Sequence, residues 1–203
     1  MSVKEHFDNI YKQCEKSPHQ EPSVAVEAAV EYLKKGTVLD LGAGSGRDSI
    51  FLAKKGFEVT SVDISPEGLS LLKETIEDEG LKNIQTVEAD VAEFKPSLEY
   101  DNILCIFVLH FLKKQDFMPT LNRIMSCTKA GGINVVSDLT KNGPLYSTDT
   151  IGHWVEAGEL QEIYEKAGWE ILDSFTYSSS TMRRDAEGKP FQHESDHLIA
   201  RKK

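Results

Sequence analysis

The stretch Thr37-Val38-Leu39-Asp40-Leu41-Gly42-Ala43-Gly44-Ser45-Gly46 opens as a β-rich run and breaks into a loop with glycine at every second position. Arg47 to Lys55 then carries a helical pattern, and Gly56 stops it. Strand, glycine loop and helix make a first βα unit. Downstream, Phe57 to Val62 reads as a second strand, followed by a helix with Ser65 as N-cap, Pro66 at its first position and Gly80 at its end. Leu69, Leu72 and Ile76 give that helix an apolar stripe.

The alternation continues. Ile84 to Ala89 reads as a third strand ending at Asp90, and Tyr100 to Val108 contains a fourth, whose Ile103-Leu104-Cys105-Ile106 suits a strand covered on both faces. Phe117, Leu121, Ile124 and Thr128 recur with helical spacing, and Ala130-Gly131-Gly132 leads into a fifth strand from Ile133 to Ser137. Asp138 to Val155 has no clear period and reads as a lid or substrate loop. A helix from Glu159 to Ala167, a strand from Glu170 to Tyr177 and a last strand from about Gln192 to Ala200 follow, the two strands joined through 184–188. Upstream, Ser23 to Lys35 has the apolar spacing of an amphipathic helix and Lys4 to Lys16 a weaker one, with a turn at Ser17-Pro18-His19-Gln20 between them. The expected architecture is α/β, a doubly wound and mostly parallel sheet with helices on both faces, in one compact unit: a helical cap at 1–36 and the sheet domain at 37–203.

Composition bounds the function. The 203 residues include 23 basic and 33 acidic side chains, a net charge of −10, so a surface built to coat nucleic acid or anionic lipid is not expected. With 39% hydrophobic residues and no long apolar run, the chain reads as globular without a membrane span. Met1 to Ile10 lacks the apolar stretch of a secretion signal, and Cys14, Cys105 and Cys127 form no C-x-x-C pair, so a cytoplasmic location is expected. His193 and His197 are an i, i+4 pair in a stretch read as strand, with no H-E-x-x-H helix around them, and no metal site is expected.

The chemistry gathers at the strand ends. A glycine loop after the first strand lets a ligand approach the main chain while the next helix directs free N–H groups at it. The spacing of Gly42, Gly44 and Gly46 is G-x-G-x-G, and Asp40 stands just before it, where a negative charge would repel a pyrophosphate and attract a cation. Asp63, at the end of the second strand, is placed to accept hydrogen bonds from ribose hydroxyls, and Asp90, after the third, to receive an exocyclic amino group. A nucleoside with a positively charged tail suits the three carboxylates, and S-adenosylmethionine has that form.

With Asp63, Asp90-Val91 and Tyr100-Asp101, the glycine-loop segment resembles the motif series of class I S-adenosylmethionine-dependent methyltransferases. Gly46-Arg47-Asp48-Ser49, the Val108 to Leu112 run, Cys127-Thr128-Lys129-Ala130-Gly131-Gly132, Gly158-Glu159-Leu160 and Leu198-Ile199-Ala200-Arg201-Lys202 are similar to the tellurite-resistance subfamily. The resemblance implies a seven-stranded Rossmann-like sheet with an antiparallel last strand. It also implies that Asp40, Gly42, Ala43 and Gly44 hold the amino-acid end of the cofactor, Asp63 and Ile64 the ribose, and Asp90 and Val91 the adenine. Cys105 and Ile106 would pass near the sulfonium, and His19 would lie near the cofactor.

The implied activity is methyl transfer to a small acceptor, a metalloid oxyanion such as tellurite or selenite, or a thiol-like molecule. For an oxyanion, Arg183 and Arg184 are the candidate acceptor-site charges, although Met182 stands where the subfamily has a histidine. Tyr146, His153 and Trp154 are candidates to shape the acceptor pocket. A nicotinamide-dependent oxidoreductase and a noncatalytic S-adenosylmethionine-binding regulator are the rival readings, and the sequence leaves the oligomeric state open.

Overall fold

The computed structural model describes residues 1–14, 21–143, 146, 152–184 and 187–203, with the backbone alone for 181–184. Seven strands form one sheet: β1 (Thr37–Leu41), β2 (Glu58–Asp63), β3 (Ile84–Glu88), β4 (Tyr100–Ile106), β5 (Thr128–Leu139), β6 (Glu170–Arg184) and β7 (Pro190–Arg201). Their spatial order is β3-β2-β1-β4-β5-β7-β6. The first five strands pair in parallel, and β7 runs antiparallel to both β5 and β6. Strand order reverses between β1 and β4, and in open α/β sheets the crevice beyond the carboxyl ends at such a reversal binds ligands.

The helices among the described residues are α1 (Val3–Tyr11), α2 (Val24–Ala29), α3 (Arg47–Lys54), α4 (Pro66–Glu79), α5 (Lys114–Ser126) and α6 (Glu159–Lys166), with a 3₁₀ turn at Leu109–Phe111. No described helix is long and apolar enough to cross a membrane. Side chains alternate across the sheet, so each strand feeds two cores. Leu39, Ile103, Cys105 and Val136 pack with Phe117, Leu121 and Tyr164 on the α5 and α6 side. Val38, Leu104, Ile106 and Val135 pack with Val26, Ala29 and Leu52 on the α2 and α3 side. Ala25, Val26 and Ala29 are fully buried, so the segment before the sheet is built into the core.

Four sequence expectations are corrected. The helix read over Ser23 to Lys35 spans only Val24–Ala29, because the chain is then captured by Asn102, whose Oδ1 accepts from Lys34 N (2.9 Å) and whose Nδ2 donates to Lys34 O (2.7 Å). Among the described residues the weaker segment at Lys4 to Lys16 is helical over Val3–Tyr11 and ends there, and 15–16 and the turn expected at 17–20 lie outside the described residues. β5 starts at Thr128, whose hydroxyl lies within hydrogen-bond reach of two acceptors, Ile124 O (2.8 Å) and Asn134 Oδ1 (2.7 Å), and donates to one of them at a time, and a register shift opposite Tyr100 and Asn102 takes Gly131 and Gly132 into the strand. β6 continues past Tyr177 to Arg184: Ser178, Ser179 and Ser180 pair with Glu194, His193 and Gln192, so Arg183 and Arg184 stand in the strand itself. A serine run reads as loop, but antiparallel pairing satisfies its backbone all the same.

At the centre of the α6-facing core, Asn134 Nδ2 donates to the hydroxyl of the fully buried Tyr164 (3.0 Å). Tyr164→Phe leaves that buried donor unpaired and is expected to lower the unfolding free energy by about 1 to 3 kcal/mol. Urea denaturation checks this; an unchanged midpoint and slope would contradict it.

Candidate functional site

A cavity of about 940 Å³ opens at the carboxyl edge of the sheet, with Asp40, Gly42, Ala43 and Gly44 on one side and Asp63, Ile64, Asp90 and Val91 beside them. The glycine loop is held tightly. Gly42 and Gly44 sit at positive φ, 75° and 57°, and a Cβ on them would collide with Val108 and with the Tyr11 hydroxyl respectively. Other residues fit neither the backbone conformation nor the space.

Asp63 anchors the loop from below. Its Oδ2 accepts from Gly44 N (2.7 Å) and its Oδ1 from Ser65 N (2.8 Å), joining the glycine loop to the start of α4. Ser65 Oγ donates to Asp8 Oδ1 (2.6 Å) and Lys4 Nζ to Ile64 O (3.1 Å), which brings α1 onto the same corner. α1 starts cleanly because Ser2 and Glu5 form a capping box. Its Phe7 and Tyr11 face the cavity.

The site is acidic and partly desolvated. Burial pushes Asp40 up to about 7, helped by Asp48 and Asp63 and opposed by the Ser49 hydroxyl and Arg47. Ser49 Oγ donates to Asp40 Oδ2 (2.6 Å) and also meets Ser61 Oγ (2.7 Å). Burial raises Asp63 as well, against the N–H groups of Ser65, Gly44 and Ile64 that favour its ionised form. Asp90 Oδ1 accepts from Ala92 N (2.8 Å). A carboxylate oxygen accepts more than one hydrogen bond, so Asp63 has acceptor capacity left for ligand hydroxyls. This set of acceptors fits a nucleoside carrying a cationic tail: positive charge beside Asp40 offsets desolvation of its carboxylate, and a diphosphate would worsen it.

Of the residues singled out from sequence, Asp40, Gly42, Ala43, Gly44, Asp63, Ile64, Asp90, Val91 and Ile106 come together around the cavity. Cys105 does not. Neighbouring strand residues point to opposite faces, so Cys105 is fully buried in the α5-facing core while Ile106 reaches the cavity. His19 lies outside the described residues, as do the side chains of Arg183 and Arg184.

The 138–155 segment is corrected too. Asp138 and Leu139 belong to β5, Thr140 bridges to Val155, and 144–145 and 147–151 lie outside the described residues. Tyr146, His153 and Trp154 do not line the cavity: Trp154 packs on Leu139 with Tyr146 beside it, and His153 on Phe117.

Sequence reasoning missed a second wall. His110, Phe107, Tyr177, Ser179, His193 and His197 also face the cavity. The i, i+4 histidine pair was the available signal, because in a strand residues four apart share a face. His197 is held between Ser137 Oγ (2.7 Å, through Nδ1) and Ser195 Oγ (2.7 Å, through Nε2), and burial lowers it to about 4. His193 Nε2 meets Ser179 Oγ (3.3 Å), and burial followed by repulsion from His110 lowers it as well.

The profile of the family described as "Tellurite resistance protein TehB" matches residues 3–193. A "Probable S-adenosyl-L-methionine-dependent methyltransferase TehB" of Haemophilus influenzae (strain 10810) is 28% identical over 175 residues, 86% of this chain and 60% of that protein. The chain therefore spans about 60% of the length of that curated relative. The crystal structure of TehB from Haemophilus influenzae superposes with a TM-score of 0.81 at 26% identity, over 97% of this chain and 66% of that one. The fold alone is shared with the [4+2]-cyclase SpnF, at a TM-score of 0.71 and 16% identity over 98% of this chain and 94% of that one. The family match covers most of the chain and the superposition nearly all of it, and the chain belongs to the tellurite-resistance TehB family.

Proposed function

We propose that this chain transfers a methyl group from S-adenosylmethionine to a small-molecule acceptor, in the cytoplasm and without a nucleic-acid or membrane partner. The observation that carries this is the set of strand-end carboxylates, Asp40, Asp63 and Asp90, around one cavity next to a glycine loop that Asp63 itself holds in place. Asp63 would accept from the ribose hydroxyls with its remaining lone pairs, Asp40 and the loop would receive the ammonium-bearing end, and Asp90 with Val91 would meet the adenine. When bound, S-adenosylmethionine supplies a methyl group already activated on a sulfonium.

The chain's own task is then to orient and to exclude water. α1 roofs the cavity with Phe7 and Tyr11, and Ile106 keeps the end of β4 apolar. The acceptor in this reading is a metalloid oxyanion, tellurite or selenite, or a thiol-like molecule. Arg183 and Arg184, at the end of β6, are the charges that an oxyanion would need.

Two outcomes follow from the cofactor side. Asp63→Ala removes the ribose acceptor and the Gly44 anchor together, and is expected to weaken S-adenosylmethionine binding by about 2 kcal/mol or more. Isothermal calorimetry measures this; unchanged affinity removes Asp63 from the site, and tight NADH binding with none of S-adenosylmethionine would reverse the reading.

The pH dependence comes from Asp40, whose carboxyl stands at about 7 against the ordinary 3.8. In the folded protein the neutral acid is the favoured form below about pH 7. Between about pH 4 and 7 the folded state keeps a proton that the unfolded state has lost, so stability from this group falls as pH rises through that window and is level above it. A cationic ligand favours the carboxylate, so affinity is expected to rise up to about pH 7 with release of a proton on binding below it. Calorimetry in buffers of different ionisation enthalpy reads that proton, and Asp40→Asn should abolish its release; equal release from the variant would contradict the role of Asp40.

A further inference from the structure

The wall of the cavity away from the glycine loop carries a group that cofactor binding does not use. His110 sits in the 3₁₀ turn after β4 and faces the cavity, and its Nδ1 is hydrogen bonded to Asp138 Oδ1. Asp138 is fully buried at the end of β5, where Oδ1 also accepts from Leu139 N (2.8 Å). Its other oxygen, Oδ2, is buried without a hydrogen-bond partner. A pair retained only for packing would be better replaced by apolar side chains, since a buried carboxylate with an unpaired oxygen is costly. A carboxylate only accepts, so Nδ1 carries the proton and Nε2 is left with its lone pair. The turn that presents His110 is itself strained: Phe107, just before it, has φ 58°, in the left-handed region.

The surroundings say what this nitrogen meets. Among the described side chains, Arg47 of α3 and Lys113 just before α5 line the cavity elsewhere, while those that β4, β5, β6 and β7 turn into it are Ile106, Leu139, Tyr177, Ser179 and Ser180 with His193 and His197. The two histidines are held towards the neutral form. Such a wall suits an uncharged acceptor. Among small protonated nucleophiles, a thiol is one whose proton an imidazole takes at little cost, because the two reference pKa values lie only about two units apart, against far more for an alcohol.

We propose that His110 is the base that removes the proton from a thiol acceptor as the acceptor takes the methyl group, with Asp138 as the positioning residue that fixes the tautomer; this rests on the methyl-transfer reading above. The S–H bond breaks and its electron pair forms the new S–CH₃ bond. The old bond to the methyl carbon breaks with its pair going to the departing sulfur, which becomes a neutral thioether, and the proton ends on His110 Nε2. Atoms and charge balance without a further reactant.

The test uses the full chain with His110→Gln and Asp138→Asn, and three acceptors: 2-mercaptoethanol, thiophenol, which is largely ionised under mildly alkaline conditions, and selenite. Imidazole ¹⁵N spectra of the ligand-free protein are expected to place the His110 proton on Nδ1, and Asp138→Asn to lose that preference. His110→Gln should slow 2-mercaptoethanol turnover by about 100-fold or more, slow thiophenol by less than about tenfold, and leave S-adenosylhomocysteine affinity within about twofold. Equal losses with both thiols overturn the base role, an unchanged tautomer in Asp138→Asn overturns the positioning role, and turnover of selenite with neither thiol accepted overturns the acceptor class. Absence of S-adenosylhomocysteine binding to the wild-type chain overturns the methyl-transfer reading itself, and is a different result from any of these.

Discussion

The Asp63 carboxylate bridges two main-chain N–H groups, those of Gly44 and Ser65, and most of the site's geometry follows from that bridge. It locks the glycine loop to the corner where β2 turns into α4. Through Ser65 and Asp8, and through Lys4 and Ile64, the same corner holds α1 across the cavity mouth. Buried carboxylates are costly, and this one is kept ionisable by the backbone N–H groups around it. One side chain therefore shapes the loop, positions the roof and presents acceptor oxygens to a ligand.

Asp40 works in the opposite sense. It has a hydroxyl, Ser49, and like-charged neighbours, and its burial holds it nearer to neutrality than an ordinary carboxyl. A group in that state responds to a cation. The two carboxylates thus divide the cavity's chemistry: Asp63 is a fixed acceptor and Asp40 a charge that the ligand itself draws out. The second wall, from His110 round to His193, is made by β4 and β5 with the β6–β7 ribbon and faces the same space from elements far along the chain.

The first half of the site was legible because it is local. A strand, a glycine loop and a capped helix each have short-range signatures, so β1, the loop and α4 stand where the sequence reading put them, with Ser65 as N-cap and Gly80 in the left-handed C-terminal position. What failed to read is non-local. The early end of α2 is decided by Asn102, far along the chain, and the early start of β5 by Thr128 reaching Asn134. Cys105 was named through the resemblance alone, and the alternation of β4 turns its side chain into the core. The extension of β6 through a serine run depends on β7 being present to pair with it. His110 and Asp138 are separated by a helix and a strand, and no spacing rule joins them; only the sheet order, with β4 beside β5, does.

The most direct measurement is a crystal structure of the chain with S-adenosylhomocysteine. The account predicts the ribose hydroxyls on Asp63 with the bonds to Gly44 and Ser65 intact, the amino-acid end beside Asp40, and the thioether sulfur turned towards the wall that His110 lines. A ligand seated elsewhere on the protein, or an Asp63 that must abandon the Gly44 N–H to reach it, would contradict the account.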